Sequence, residues 1–138
     1  MTKKVVNEYL FDDIVCVIAL SGYANNPRFG EEFDPDNEEY VKECIKRYIK
    51  PRLNHLNKDE KEKIRNTLEY YSRVNRDMSG YWYAFQDYPI QYPTEICLFA
   101  KWVGEELFGR DFSPCRDISQ YVEIPDEYES LLRVRITD

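Results

Sequence analysis

The sequence predicts a mainly α-helical fold, with four or five helices forming a single domain over residues 1–138. Three observations support this prediction. Apolar residues recur at helical spacing in four segments, proline or glycine stands near the ends of several of them, and strand-like stretches are short. A chain of 138 residues can bury roughly two-thirds of its unfolded surface, which is enough for one independent core.

The first helix is predicted over residues 4–20, the most apolar part of the chain. Its apolar residues fall at helical spacing: Val6, Leu10, Ile14 and Val17. Further apolar neighbours indicate that its second half is buried on all sides. The β-branched run over residues 14–18 keeps a central strand open as an alternative. Glycine, asparagine and proline then predict a loop over residues 21–35.

The second helix is predicted to begin near residues 34–36, where an acidic stretch with a proline opens an amphipathic pattern. Asp36 would be the N-cap, and Glu39 three residues later would complete a capping box. The stripe that should be buried consists of Tyr40, Val41, Cys44, Ile45, Tyr48 and Ile49. Pro51 should end or kink the helix near Ile49, because proline lacks the amide hydrogen that continues it.

The third helix is predicted over residues 58–74. Asn57 at the N-cap and Glu60 at the third helical position form a capping-box pattern. The apolar stripe is narrow and consists of Ile64, Leu68, Tyr71 and Val74. Because the other positions are polar or charged for the most part, we expect most of this helix to face solvent.

The fourth helix is predicted to follow Thr94, since Pro89 and Pro93 prevent an earlier start. Its stripe consists of Ile96, Phe99, Ala100, Val103 and Leu107. Gly109 is placed to end it. Gly104 inside the helix costs about 1 kcal/mol relative to alanine, so we expect it to mark a close approach to another helix.

The last part of the chain permits two interpretations. Residues 118–124 and 132–136 could be strands, because their apolar and polar residues partly alternate. Alternatively, Pro125 opens a short helix through Leu132, and this is the interpretation we prefer. The predicted fold is therefore mainly α, with long aromatic-rich connections and room for a small β element near the C-terminus.

Charge is distributed unevenly along the chain, whose formal net charge is −7. Residues 1–40 carry nine acids and three bases, residues 41–76 five acids and eleven bases, and residues 77–138 twelve acids and five bases. The acidic ends could fold over the basic middle and neutralise it, which is the interpretation we favour, or the protein could present two faces of opposite charge. The overall negative charge disfavours nonspecific binding to DNA or to anionic membranes.

The sequence predicts a cytoplasmic protein that does not enter a membrane. No signal-peptide pattern is evident, and the longest apolar run, residues 14–20, is far too short to span a bilayer. The cysteines stand at positions 16, 44, 97 and 115, and none of them forms a Cys-x-x-Cys pair. That spacing indicates reduced thiols rather than a disulfide framework or a zinc site.

Motifs for catalysis, cofactor binding and metal binding are missing from the sequence, so we expect no catalytic residues, no cofactor and no metal. His55 is the only histidine, which excludes multi-histidine metal sites. Asp34 and Asp36 resemble the start of a calcium loop, but Glu39 stands where that loop requires glycine. The acidic residues of the first segment, namely Glu8, Asp12 and Asp13, are interpreted as a solvated face.

The stretch from Asp77 to Ala100 holds seven aromatic residues, three carboxylates and no lysine or arginine. These rings could simply fill the core. On a surface, rings and carboxylates together suit a cationic partner, because Arg and Lys lie on ring faces while their charged groups meet carboxylates. The predicted contact surface consists of Glu31, Glu32, Asp34, Asp36, Trp82, Tyr83, Asp87 and Tyr88.

This surface predicts an acidic protein-binding module without enzymatic activity. It would act as an inhibitor, an immunity protein or an antitoxin that blocks a basic partner, such as a bacterial toxin or a nuclease. The alternative is a regulatory or adaptor domain that contacts nucleic acid through the basic residues of 42–65. We expect the acidic ends to oppose nucleic-acid binding.

Overall fold

The structure is a computed structural model, and it describes residues 3–7, 10–15, 35–74 and 93–123. This part is mainly α-helical, as the sequence predicts. Its principal elements in chain order are β1 (Lys4–Val6), α1 (residues 10–15), α2 (Glu38–Cys44), α3 (Lys58–Tyr71), α4 (Ile96–Phe108) and β2 (Tyr121–Glu123). Shorter turns of 3-10 helix cover Lys50–His55, Gly109–Asp111 and Ile118–Gln120.

The two strands form a small parallel sheet that joins the beginning of the chain to residues 121–123. Lys4 pairs with Tyr121, and Val6 pairs with Glu123. The predicted helix over residues 4–20 is therefore wrong at its start. The helical stretch begins later, where the side chain of Asn7 accepts a hydrogen bond from the Leu10 amide at 3.3 Å, as a helix-capping side chain does. The allowance for a small β element is confirmed at residues 121–123.

Helix α2 is capped by Asn37 rather than by Asp36, because the Asn37 side chain accepts the Tyr40 amide at 2.9 Å. The predicted stripe is buried at Val41, Cys44, Ile45 and Ile49. The α-helical pattern ends at Cys44, earlier than expected. A π-helical turn, Ile45–Ile49, follows, and the 3-10 helix then begins at Lys50. Since Pro51 has no amide to donate, the wider and narrower turns replace the regular pattern next to it.

Helix α3 begins with the predicted capping box. The Asn57 side chain accepts the Glu60 amide at 2.8 Å, and the Glu60 carboxylate accepts the Asn57 amide at 3.0 Å. The expectation that most of this helix faces solvent is wrong. Ile64 and all residues of 66–71 are buried, because β1 and α4 both pack against it. Its first two turns carry the charged residues and remain accessible.

Helix α4 buries the predicted stripe and ends at Gly109, whose φ of +57° is a conformation that favours glycine. Gly104 does mark a close approach, but the neighbour is the Phe112 ring just beyond the helix rather than another helix. A methyl group at position 104 would overlap that ring. The segment after α4 therefore folds back onto the helix through this contact.

Three rings join α1, α3 and α4 in the core. The Phe11 ring lies 5.4 Å from the Tyr71 ring and 6.2 Å from the Phe99 ring, measured between centroids. All three side chains are at most 1% exposed. Of the helices that the structure describes, none is long and apolar enough to cross a membrane.

The structure describes only part of the C-terminal segment for which the sequence left strand and helix open. Residues 118–120 form a 3-10 turn and residues 121–123 form β2, so the strand expected within 118–124 is confirmed only at its end. The preferred helix from Pro125 to Leu132 and the strand over 132–136 lie outside the described residues.

Candidate functional site

The contact surface predicted from the sequence lies mostly outside the described residues. Seven of its members fall there, namely Glu31, Glu32, Asp34, Trp82, Tyr83, Asp87 and Tyr88. Their role stays a prediction, as does the choice between core and surface for the aromatic stretch. Asp36 belongs to the described part of the chain and gives a starting point for locating a site.

Asp36 joins the segment before α2 to the start of α4. Its two carboxylate oxygens accept hydrogen bonds from the Thr94 amide at 2.8 Å and the Thr94 hydroxyl at 2.7 Å. The side chain is exposed. Asp36 thus connects two distant segments and keeps a negative charge at the surface.

A cavity of about 250 Å³ opens beside Asp36, and we name it the acid-lined cleft. The described residues that line it are Asp36, Thr94, Glu95, Leu98 and Trp102. Glu95 is the exposed N-cap residue of α4, Leu98 is 41% exposed, and Trp102 is half-buried. Two carboxylates next to an indole ring form an environment that suits a Lys or Arg side chain.

The sequence contained a signal for the α4 part of this cleft. Residues 95, 98 and 102 follow i, i+3 and i+7 spacing, which places them on one face of the helix. That face is not the buried stripe, so Leu98 and Trp102 are apolar residues on the solvent side of an amphipathic helix. Such residues indicate a contact surface when they cluster.

A second cavity of about 290 Å³ lies between the first turns of α3 and the end of α4, and we name it the cation-lined cleft. The described residues that line it are Lys58, Lys61, Glu62, Arg65 and Phe108. The four α3 residues follow i, i+3, i+4 and i+7 spacing and share one face. Three cations and one carboxylate around a half-buried ring suit an anion rather than a cation.

Several cations of the basic middle are already paired with acids. Lys42 lies 2.9 Å from Glu38 and 3.3 Å from Glu105, and Arg47 is paired with Glu43. The hydrogen bond to Glu38, reinforced by Glu105, raises the pKa of Lys42. These pairs lower the positive charge that α2 and the π-helical turn after it could offer to a phosphate backbone. The Lys42 bridge also supports the expectation that acidic parts of the chain neutralise the basic middle.

The interpretation of the first acidic residues as a solvated face is wrong for the two that the structure describes. Asp12 is 9% exposed and Asp13 is 2% exposed. Glu8 lies outside the described residues. Helix α1 packs between other elements through Phe11 and Ile14, so its carboxylates are buried with it. The helical spacing was correct, but the polar side of this helix is covered as well.

A third carboxylate, Glu69, holds the segment after α4 in place. One of its oxygens accepts the Ser113 amide at 3.2 Å, and its backbone carbonyl accepts the Cys115 amide at 3.1 Å. Glu69 is 9% exposed. The Glu69 side chain and its backbone carbonyl therefore each accept one amide of this segment, which is a structural role.

Tyrosines surround the small sheet. The Tyr71 hydroxyl donates a 2.7 Å hydrogen bond to Glu123, and the Lys4 ammonium lies 5.5 Å from the centre of the Tyr121 ring. Burial, with the nearby Glu69 charge, raises the pKa of Tyr121 to about 12. Tyr121 therefore stays protonated at neutral pH. These contacts tie β2 to α3 and β1.

The cysteines that the structure describes are reduced thiols with raised pKa values. Burial raises the pKa of Cys44 to about 11 and also raises the pKa of Cys97 and Cys115. Cys115 is buried, although it lies between Pro114 and Arg116. A raised pKa lowers the thiolate fraction, which is the opposite of what a nucleophile or metal ligand requires.

Within residues 3–7, 10–15, 35–74 and 93–123, no group of three or more His, Cys, Asp or Glu side chains is placed to hold a metal ion. No protein-family model, curated protein or solved structure matches this chain. The two clefts are therefore interpreted from their own geometry and charge.

Proposed function

We propose that this chain is an acidic protein-binding module that acts as an inhibitor or immunity protein against a basic partner, such as a bacterial toxin or a nucleic-acid-handling enzyme. The observation that carries the proposal is the acid-lined cleft. There Asp36 and Glu95 flank Trp102 and the exposed Leu98. Carboxylates attract a basic surface over a distance, and an indole ring supplies contact area once the partner is bound.

The position of the cleft is consistent with this role. Asp36 comes two residues after the acidic Asp34, and Thr94 lies within the aromatic-rich stretch from Asp77 to Ala100. Two hydrogen bonds join Asp36 to Thr94 at the edge of the cleft.

The alternative, nucleic-acid contact through residues 42–65, has weaker support. Lys42 and Arg47 each have carboxylate partners, so part of the positive charge of this segment is neutralised within the protein. A polyanion would also meet a net charge of −7. The cation-lined cleft remains as a local anion-binding site, which suits a small ligand better than an extended strand.

Co-purification of the tagged protein with the product of a neighbouring reading frame tests the proposal. We expect one basic protein in near-equal amount, and Glu95→Lys should weaken its binding about tenfold, since it reverses a charge at the cleft. Asp111→Lys is the matched control, because Asp111 is exposed and does not line the cleft. The proposal would be contradicted if both variants lost partner binding equally, or if the tagged protein recovered nucleic acid alone.

A further inference from the structure

We propose that the cation-lined cleft binds a planar aromatic ring that carries a phosphate group, as in a nucleoside monophosphate. This site is separate from the acid-lined cleft and goes beyond the function proposed above. It combines the two features that such a ligand needs. The ring of Phe108 offers a stacking surface, and Lys58, Lys61 and Arg65 surround it with positive charge.

The cations of this cleft are more available than those of α2. Among the described residues, neither Lys58 nor Lys61 forms an ion pair with a carboxylate. Arg65 lies 3.6 Å from Glu62, which is longer than a hydrogen bond. The guanidinium can therefore turn toward a phosphate, for which its planar group of donors is well suited.

The placement on α3 puts the three cations on one face of the helix. Lys58, Lys61 and Arg65 follow i, i+3 and i+7 spacing, so their side chains line one wall over two turns. Phe108 ends α4 on the opposite wall. A ring inserted between the walls would stack on Phe108 with its phosphate facing α3.

The size of the cavity limits the ligand. Its volume of about 290 Å³ lies near the lower limit of roughly 300–1,000 Å³ for small-molecule sites. One ring system with one anionic group fits this space, whereas a longer strand would have to leave it. The ligand could be a free mononucleotide or the 5′-phosphorylated end of a strand, since both present the same chemistry.

Calorimetric titration with three probes tests the proposal: adenosine monophosphate, adenosine and inorganic phosphate. We expect adenosine monophosphate to bind at least about tenfold more tightly than either of the others, because only it engages both the ring and the cations. Equal binding of adenosine monophosphate and phosphate would overturn the role of Phe108. Equal binding of adenosine monophosphate and adenosine would overturn the role of the cations, and no binding at millimolar concentration would overturn the site.

Variants locate the binding within the cleft. Lys61→Glu and Phe108→Leu should each weaken adenosine monophosphate about tenfold or more, whereas Lys46→Glu makes the same charge change at an exposed residue outside the cleft. Equal weakening by Lys46→Glu and Lys61→Glu would mean that only overall charge matters, which overturns the proposal. Circular dichroism of each variant establishes that it is folded.

Two further arms sharpen the result. Among the described lining residues, Glu62 is the carboxylate, and Glu62→Gln should tighten the binding of adenosine monophosphate by a fewfold. Weaker binding by this variant would contradict the assigned geometry. A 5′-phosphorylated dinucleotide distinguishes the two sources. If the dinucleotide binds as tightly as the mononucleotide, the ligand of the cleft is the 5′-phosphorylated end of a strand. If the dinucleotide binds more weakly, the ligand is a free mononucleotide.

Discussion

The two clefts differ in charge although they share one helix. The acid-lined cleft surrounds the first two turns of α4, where Glu95 and Trp102 meet Asp36. The cation-lined cleft surrounds the last turn, where Phe108 meets the first turns of α3. Each cleft has one aromatic residue of α4 and charged residues of mainly one sign. Helix α4 therefore supplies the rings, and the charge comes from its own N-cap Glu95 and from the segments packed against it.

Spacing along α4 explains how the two clefts are related. Trp102, Glu105 and Phe108 are separated by three residues each, so they follow one side of the helix about 4.5 Å apart along its axis. Glu105 stands between the rings and is bound to Lys42 of α2. An ion pair thus separates an acidic region from a basic one. Changes to α4 should affect both clefts, and changes to its neighbours only one.

The largest effect is expected from Gly104→Ala, which should disrupt both clefts together. The added methyl group would overlap the Phe112 ring, so the ring or the helix must move. Overpacking of this kind costs about 1–3 kcal/mol, and we expect the upper part of that range because the contact is with a ring in the core. Urea unfolding measures the loss, and binding to both clefts should weaken.

The double variant Gly104→Ala with Phe112→Leu is the control for this interpretation. A smaller side chain at position 112 makes room for the methyl group, so the double variant should be more stable than the sum of the two single changes predicts. Simple additivity would mean that the glycine is required for another reason.

An alkaline titration tests the burial of Cys44 in the core, independently of the two clefts. The pKa of Cys44 is raised from its ordinary 9.0 to about 11 by burial. A raised folded pKa means that its stabilisation is complete below pH 9 and is lost as the pH rises toward 11. The loss amounts to about 2–3 kcal/mol. Urea unfolding of Cys44→Ala between pH 8 and 11 should show a smaller loss than the wild type. Parallel curves for the two proteins would contradict the assignment.

Two variants of similar cost should each weaken binding at only one of the two clefts. Asn57→Ala removes the capping box that orders the first turn of α3, and Asp36→Ala removes the two hydrogen bonds to Thr94. Each should cost about 1 kcal/mol of unfolding free energy. Asn57→Ala should weaken the anionic ligand alone, and Asp36→Ala the basic partner alone. Titration of both ligands against both variants checks this. If both variants weakened the binding of the same ligand, the two clefts would be coupled.

Local patterns in the sequence predicted the helices well. The stripe of α4 and the Asn57–Glu60 capping box depend on neighbours within one or two turns, and both are confirmed. The strand at residues 4–6 was missed, because its partner lies more than a hundred residues away and short strands acquire their conformation from pairing. The same limit applies to the Gly104–Phe112 contact, where a close approach was predicted but its partner was wrong.

Burial of polar residues was the main error, and it bears directly on the clefts. Asp13 and Glu69 are buried because elements cover both sides of α1 and of the second half of α3, which no periodicity reveals. For the site, the sequence identified Asp36 and the basic segment but not Trp102 or Phe108. Those two rings stand outside the buried stripe of α4. The spacing of residues 95, 98 and 102 marks an apolar solvent-side face, but the charges beside the two rings become evident only when other segments pack against α4.

The smallest expected effect comes from Lys42→Met, and it acts on the two clefts in opposite directions. Lys42 is partly exposed and bonds Glu38 and Glu105, so its loss should cost only about 0.5–1 kcal/mol. Glu105 then carries an uncompensated negative charge between Trp102 and Phe108. We expect the basic partner to bind about twofold more tightly and the anionic ligand about twofold more weakly at low salt, with both shifts lost at high salt.

Glu105→Gln in the Lys42→Met background is the decisive control. It removes the uncompensated negative charge of Glu105 without restoring the lysine. Both shifts should return toward the wild-type values if Glu105 causes them. A shift that persists in the double variant would instead come from a displacement of α2 against α4. The ion pair would then be a packing contact, and the clefts would owe their opposite character to the residues that line them alone.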